Sequence, residues 1–451
     1  MFFGFTKRIL PKKVFSSKKI KLVYFENSYY IFLKIKKIFK SEKRGIRMVL
    51  KKTFSILATT TLAVGLLAGC SGGQKEQNAS NGGGGGNGGG NVIKIATQTP
   101  LSGGSATLGE SIKLGAQLAL EEQKANFEKL GFKLELVPYD DQGDPKKGVA
   151  NAQLIGADKQ ILGVVGHLNS GVAIPSSEIY EKYSIPMVSP ANTATEVTDR
   201  GLKTVNRICA RDDFQGPAGA KFAIEKLGAK KIFIIQDKTA YGSGLAEAFK
   251  KGAEDLGAQI VGFEGITIGE KDFNGVLNQV LAKKPDLVYF GGLYTEGGLL
   301  IKQARDKGIN VPIMGGDGLD SSTLVQIAGD AVKNTYMTSA AGLTTATDAG
   351  KQFAEKYKQK FGKEIESYSA YGYDSMGVLL KGIEEAIKAN GNKLPTRQQA
   401  AEGVRKVQDY QGVVTKVSFD EKGDNKYAKI YIYKFDEAKY PAKLEDEVSK
   451  Q

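Results

Sequence analysis

The sequence predicts an α/β protein of two lobes, each built on a mostly parallel sheet. Three observations carry that prediction. From Val92 onward, short apolar runs alternate with helical segments of roughly 12 to 20 residues, the rhythm of parallel strands covered by helices on both faces. The series breaks after Arg211 and then starts again, so two such units follow one another. The stretch Ile161 to Thr195 reads strand, loop, helix, strand, loop: β-branched Ile161 to Val165 ending at Gly166, amphipathic Ala173 to Tyr183, then Ile185 to Val188. Two such strands in parallel put both loops at one edge of a sheet, where ligands of open α/β sheets bind. Each loop offers a hydroxyl, Ser170 or Thr193, with free N–H groups at a helix N-terminus, suited to a carboxylate or phosphate. The same hydroxyls also suit plain N-caps, and the window alone leaves both readings open.

In chain order, Val92 to Thr97 reads as a strand. Gly109 to Leu130 reads as a helix with Ile112, Gly115, Ala116 and Ala119 on one face. Phe132 to Val137 is a strand, and Asp144 to Asp158 is a helix with Pro145 in its first turn. After Arg211 come helix Phe214 to Leu227, strand Lys231 to Ile235, helix Tyr241 to Leu256 and strand Gln259 to Phe263. Helix Phe273 to Ala282, strand Asp286 to Phe290, helix Glu296 to Lys307 and strand Val311 to Met314 continue the series. Beyond Thr335 the pattern changes to helices near Ala349 to Phe361 and Tyr368 to Ala389, then β runs Gly412 to Phe419 and Lys426 to Phe435. Those late strands must pair with sheets already made, so the chain crosses between lobes more than once.

The net charge of +14 points toward nucleic acid or membrane until its distribution is read. Residues 1–47 hold 14 Lys and Arg against 2 Asp and Glu, and Lys51 and Lys52 add two more; the rest carries 47 of each sign. The folded part has no basic excess to neutralise phosphates, so nucleic acid is not expected as a partner. Residues 1–47 are rich in Lys, Ile, Phe, Tyr and Asn, without caps or steady period. They read as translated upstream DNA with the start at Met48; a basic membrane-surface segment is the alternative.

From Met48 the pattern sharpens. Lys51 and Lys52 precede an apolar stretch, Thr53 to Leu66, too short to span a bilayer comfortably. Leu67-Ala68-Gly69-Cys70 closes it with small residues before a cysteine. This resembles the lipobox of bacterial lipoproteins, which implies a signal peptide over 48–69, cleavage before Cys70, and a lipid on its sulfur that anchors the protein to the membrane. Residues 71–91 are a Gly- and Asn-rich tether. Cys209, the other cysteine, has no internal partner and sits among apolar residues, so burial is expected. His167 is the only histidine, which leaves no His pair for a metal and no base for a Ser-His-Asp triad elsewhere. No metal or cofactor is expected. His167 either lines the site or is a satisfied structural histidine.

VGHLNS (Val165 to Ser170), SIPMVSPANT (Ser184 to Thr193), DKTAYGSGLA (Asp237 to Ala246), GITIGEKDF (Gly265 to Phe273), GGLYTEGG and GGDGLDSS together resemble one family. It is the branched-chain amino-acid-binding protein family, the receptors of ABC importers of the Leu/Ile/Val type. The resemblance covers roughly residues 92–435. It implies a type I periplasmic binding protein: two Rossmann-like lobes joined by a three-segment hinge that closes on ligand. Lobe one would be 92–211 and 341–420, lobe two 212–340 and 421–445. Carried over by motif, Ser170 would bind the ligand carboxylate, the Ala191 carbonyl its ammonium, Thr193 both groups, and Asp317 the ammonium. Leu108, Asn169, Tyr241, Leu293 or Tyr294, and Tyr368 would form the side-chain wall. A zwitterion enters a dry cleft at low cost only when both charges find charge-assisted bonds, so the set is chemically coherent. Leu108 stands where some relatives have an aromatic residue, Asp317 reaches less far than Glu, and Asn169 brings an amide to the wall; these departures bear on side-chain specificity and leave the head-group set intact.

The expected function is a lipid-anchored, extracytoplasmic receptor on a Gram-positive-type cell surface, monomeric, delivering an aliphatic amino acid to ABC permease subunits. The same scaffold could instead receive an aromatic acid, amide, urea or polar amino acid. An enzyme such as a dehydrogenase is disfavoured, because Thr97-Gln98-Thr99-Pro100 puts a proline and no GxGxxG after the first strand. A sensory ligand-binding domain is disfavoured too, since no membrane-spanning run or signalling module follows the second lobe in this sequence.

Overall fold

A five-stranded sheet and a seven-stranded sheet organise the molecule, seen in a computed structural model that describes residues 91–449. These residues fall in the unit Gly86 to Gln451. Residues 1–47, the signal-like segment, Cys70 and the tether up to residue 90 lie outside the described residues. Among the described residues no helix is long and apolar enough to cross a membrane.

The first sheet has the order β2-β1-β3-β4-β5 and is parallel throughout: β1 (Val92–Thr99), β2 (Lys133–Asp140), β3 (Ile161–Gly166), β4 (Met187–Ser189) and β5 (Val205–Arg207). Position in the sheet follows from pattern. Central β3 is buried at every residue, as its unbroken apolar run requires, whereas in edge strand β2 only Leu134 is buried and the rest is exposed or half-buried. Helices α1 (Ala106–Lys129), α2 (Pro145–Ala157), α3 (Ser170–Lys182) and the short α4 (Glu196–Asp199) connect these strands. Asp144 caps α2 by accepting from the Lys146 and Lys147 N–H groups, with Pro145 at the first helical position.

The second sheet, β14-β13-β10-β9-β8-β6-β7, contains β6 (Lys231–Gln236), β7 (Gln259–Gly265), β8 (Leu287–Gly291), β9 (Ile313–Gly315), β10 (Thr335–Ser339), β13 (Lys429–Phe435) and β14 (Lys443–Ser449). Its β6 to β10 are parallel, and β13 and β14 add an antiparallel edge. Helices α5 (Asp212–Glu225), α6 (Ala240–Asp255), α7 (Asn274–Lys283), α8 (Tyr294–Asp306) and α9 (Ser322–Ala328) accompany it. After β10 the chain returns to the first sheet, laying α10 (Asp348–Phe361), α11 (Ser369–Ala389) and α12 (Arg397–Arg405) against α1 and β3. It then crosses back to form β13. Helices α1 and α11 approach so closely that a side chain at Gly115 would collide with the Ser369 carbonyl, and one at Gly372 with that of Ile112.

Several expectations need correction. Gly412 to Phe419 is not a strand of either large sheet. The Asp374 carboxylate accepts the N–H groups of Val413, Val414 and Thr415, leaving only a two-residue pairing of β11 (Tyr410–Gln411) with β12 (Lys416–Val417). No helix begins at Thr193; α4 has four residues and starts three positions later. Helix α3 begins at Ser170, as expected, but Asn169 rather than Ser170 is its N-cap. Strands β5, β10 and β14, and helices α9 and α12, were not anticipated.

Candidate functional site

Each sheet has one point where the chain reverses its direction of growth. In the first it lies between β1 and β3, in the second between β6 and β8. The crevice beyond the carboxyl ends of the strands at such a switch point is where open α/β sheets bind ligands. The loops leaving these strands carry Leu108 at the start of α1, Asn169 and Ser170 at the start of α3, Tyr241 at the start of α6, and Leu293 and Tyr294 at the start of α8. The loop after β4 adds Ala191 and Thr193, and that after β9 adds Asp317 in a short 3-10 turn, Asp317–Leu319.

The two halves meet across this crevice. The Tyr294 hydroxyl accepts from the Thr107 N–H at 3.2 Å, and the Thr107 and Thr323 hydroxyls lie 2.9 Å apart. The Thr295 hydroxyl donates to the Gly104 carbonyl at 2.6 Å, and the Ser367 hydroxyl to the Asp320 carbonyl at 2.7 Å.

Asp317 is the centre of the arrangement, 4% exposed. Its Oδ1 accepts from Tyr241 (2.9 Å) and Gln215 (2.7 Å), and its Oδ2 from the Tyr368 hydroxyl (2.7 Å). Tyr241 in turn accepts from the Gly318 N–H at 2.8 Å. A carboxylate has about four lone-pair sites, so one remains for another donor. Burial raises the Asp317 carboxyl above its ordinary value despite these bonds, and burial together with the nearby Asp317 charge raises the Tyr241 and Tyr368 phenols.

The remaining expected residues take distinct places. Ser170 is buried, and its Oγ accepts from the Ala194 N–H at 3.4 Å, tying the first loop to the second. Thr193 is fully buried with a hydroxyl that has no partner among the described residues, and Ala191 is buried beside it. Leu108 is fully buried in the main apolar cluster. Leu293 is half-buried against Gly318, whereas Tyr294 turns to Thr107; of the two, Leu293 faces the Asp317 turn. Asn169 lies over Gly143 with its buried Oδ1 unpartnered, a polar presence where an apolar wall was expected. Tyr241 and Tyr368, expected as wall residues, both bond Asp317 through their hydroxyls. His167 is a structural residue: fully buried, with Nδ1 3.4 Å from Asp141 and Nε2 3.3 Å from the Tyr180 hydroxyl. Cys209 is buried, its Sγ donating to the Asn192 carbonyl at 3.5 Å, and burial pushes its thiol upward.

Sequence reasoning missed Gln215 and Asp212. Asp212 is 2% exposed, and neither of its carboxylate oxygens has a partner among the described residues. Its N–H donates to the Thr193 carbonyl at 2.9 Å, and it sits one turn from Gln215 on α5. An acid in the first turn of a helix reads as ordinary dipole complementation, so only its burial in the fold marks it out.

Two doubly wound units with a polar cluster at their switch points have the architecture of a two-lobed solute-binding protein. The chain belongs to the periplasmic binding protein family, whose model matches residues 92–440. It is 35% identical over 338 residues to Leu/Ile/Val-binding protein homolog 1 of Brucella abortus, covering 75% of this chain and 88% of the relative. It is 36% identical over 350 residues to Leu/Ile/Val-binding protein BraC3 of Rhizobium johnstonii, covering 78% and 93%. Among solved structures it resembles the leucine-binding protein LivK of Thermotoga maritima, at 31% identity and TM-score 0.72, covering 79% of this chain and 99% of the other. It also resembles the branched-chain amino acid transporter substrate-binding protein LivJ of Streptococcus pneumoniae in complex with isoleucine, at 27% identity and TM-score 0.71, covering 80% and 99%. All four are named as binding proteins, and the last as the substrate-binding protein of a transporter.

Proposed function

We propose that this protein is the extracytoplasmic substrate-binding component of an ABC importer, taking a branched-chain or other aliphatic amino acid in the crevice and passing it to the permease. The observation that carries the reading is Asp317: a buried acid with one lone pair in hand, at the mouth of two switch points, in a relative of Leu/Ile/Val-binding proteins. In this reading Asp317 and the Ala191 carbonyl hold the α-ammonium. Ser170 and Thr193 hold the carboxylate, Thr193 also meeting the ammonium. Leu108, Asn169, Tyr241, Leu293, Tyr294 and Tyr368 enclose the side chain.

Lobe one comprises 92–211 and 341–420. Lobe two comprises 212–340 and 421–445. The lobes close as a hinge, so that ligand selects the closed state. Cys70 carries the lipid that holds the protein, as a monomer, to the outer face of a Gram-positive-type membrane. A thermal-shift screen over the twenty amino acids tests the ligand class: stabilisation by Leu, Ile or Val supports it, and none by any amino acid contradicts it.

A second reading, a receptor for an aromatic acid, amide, urea or polar amino acid, is favoured by the crowding of Asp317. Three neutral donors already satisfy most of that carboxylate. Stabilisation by such a solute alone would select it.

A further inference from the structure

Beneath the cleft lie two buried acids and no cation assigned to them. Asp317 is bonded only by neutral donors, Tyr241, Gln215 and Tyr368. Asp212 has no donor at hydrogen-bond geometry on its carboxylate, although the Thr193 hydroxyl and the Arg207 charge lie near enough to lower it. The two are linked through α5, where Asp212 and Gln215 share a face one turn apart and the Gln215 amide reaches Asp317. The Asp212 backbone also anchors to Thr193, whose hydroxyl is unpartnered.

The nearest positive charge is already used. Arg207 donates to Asp424, to the Asn192 (2.8 Å) and Ala194 (2.9 Å) carbonyls, and to the Thr198 hydroxyl. Arg211 bonds Asp199, Asp213 and Asp424. The other groups facing Asp212 are the thiol of Cys209 and the phenols of Tyr241 and Tyr289, all pushed upward by burial and so neutral at physiological pH. Asp213, on its own helix, adds another negative charge. Burial, reinforced by the Asp317 charge, pushes the Asp212 carboxyl well above the carboxylate range. Two like charges in one dry site cannot both ionise cheaply, and such a pair titrates as a unit.

We propose that Asp212 is a second acid of the ammonium subsite, forming with Asp317 a pair that shares one proton until the α-ammonium of the ligand replaces it, so that amino-acid capture releases a proton. This rests on the amino-acid reading above. The balance is simple. The carboxylic O–H of the pair breaks and its proton passes to solvent, while N–H bonds from the incoming ammonium, already protonated in water, take its place. Ionised Asp212 then accepts a hydrogen bond donated by the Thr193 hydroxyl, turning the lone pairs of Thr193 toward the ammonium. The pair thereby couples the head-group site to pH: affinity rises with pH, by up to about ten-fold per unit where the pair titrates.

Calorimetric titration of the full chain with L-leucine, at each pH in two buffers that both hold it but differ in heat of protonation (acetate and MES at about pH 5.5, phosphate and Tris at about pH 7.5), tests this. The expected result is a heat that differs between the buffers, corresponding to release approaching one proton per leucine, with affinity rising as pH rises. In Asp212→Asn the release is lost, affinity drops several-fold and its pH dependence flattens. Equal heats in both buffers across the range, or unchanged release in Asp212→Asn, overturns the proposal. Should Asp212→Asn not fold, carboxyl ¹³C NMR of the parent decides. An Asp carboxyl that titrates well above the ordinary range only without leucine supports the pair; ordinary titration of all Asp carboxyls in both states overturns it. Absence of heat and of thermal shift with all twenty amino acids overturns the amino-acid reading itself, an outcome distinct from leucine binding without proton release.

Discussion

The hydroxyl of Tyr368 donates to Oδ2 of Asp317 across 2.7 Å, joining the segment that leads into α11, packed on the first sheet, to the turn that follows β9 in the second. In this structure the bond joins the two halves. In the proposed reading the wall residue Tyr368 and the head-group acid Asp317 then form one network, so their mutants must be distinguished by how they act on different ligands.

Tyr368→Leu should reorder ligand preference. It changes the shape of the apolar enclosure and leaves Asp317 with two donors. Each CH₂ gained or lost from contact is worth about 0.8 kcal/mol, roughly four-fold in affinity. Calorimetry with Leu, Ile, Val, Ala and Phe should give unequal changes; a uniform loss across all five would place Tyr368 outside the side-chain pocket.

The unliganded protein should lose stability as pH rises from about 4 to about 7. Asp320 is buried, accepts from Ser339 (2.7 Å) and Tyr440 (3.2 Å), and is pushed up to about 7, mainly by burial. Its folded value lies above its unfolded one. The stability tied to its proton is therefore complete below the unfolded pKa and lost as pH rises through the folded one. Asp374, also raised to about 7 by burial, has the same sign. Urea unfolding over this range should show the decline, and Asp320→Asn should lessen it. An unchanged slope in the variant would mean that Asp320 is ionised in the fold.

Ligand should contract the protein. If the crevice closes around an amino acid, small-angle scattering of the free form should show a larger radius of gyration than that of the saturated form. Identical profiles with a saturating ligand would argue against hinge closure.

Cys70→Ala should release the protein from membranes or leave its signal uncleaved. Intact mass of membrane-extracted parent should correspond to a chain beginning at lipidated Cys70. A mass that includes residues 1–47 would contradict both the lipid anchor and the start at Met48.

Much of the fold is legible in the sequence because it is written locally. Ile161 to Gly166 and Leu287 to Gly291 are unbroken apolar runs and become central strands. Asp144 and Pro145 mark the start of α2. The three-residue strands β4, β5 and β9 are too short to carry a period, and β4 and β9 were found only through their apolar flanks. Gly412 to Phe419 misled because its Val-Val-Thr-Lys-Val pattern fits a strand, while the acid that captures its N–H groups, Asp374, lies on α11, far away in sequence. Asp317 looks like a turn acid and became a candidate only through family resemblance. Asp212 and Gln215 look like the solvated first turn of a helix. Their meaning depends on contacts with Thr193 and Asp317, which no local pattern encodes.

The central claim is that Asp317 receives the ammonium of an amino acid within the crevice. Calorimetric titration of the parent and of Asp317→Ala with leucine, isoleucine and valine tests it most directly. Truncating one partner of a buried charge pair costs on the order of 2–5 kcal/mol, roughly 30- to several-thousand-fold in affinity. The account predicts a loss in that range, similar for all three ligands. An Asp317→Ala protein that binds its best ligand as tightly as the parent would contradict it, and would make a solute without an amine the better assignment.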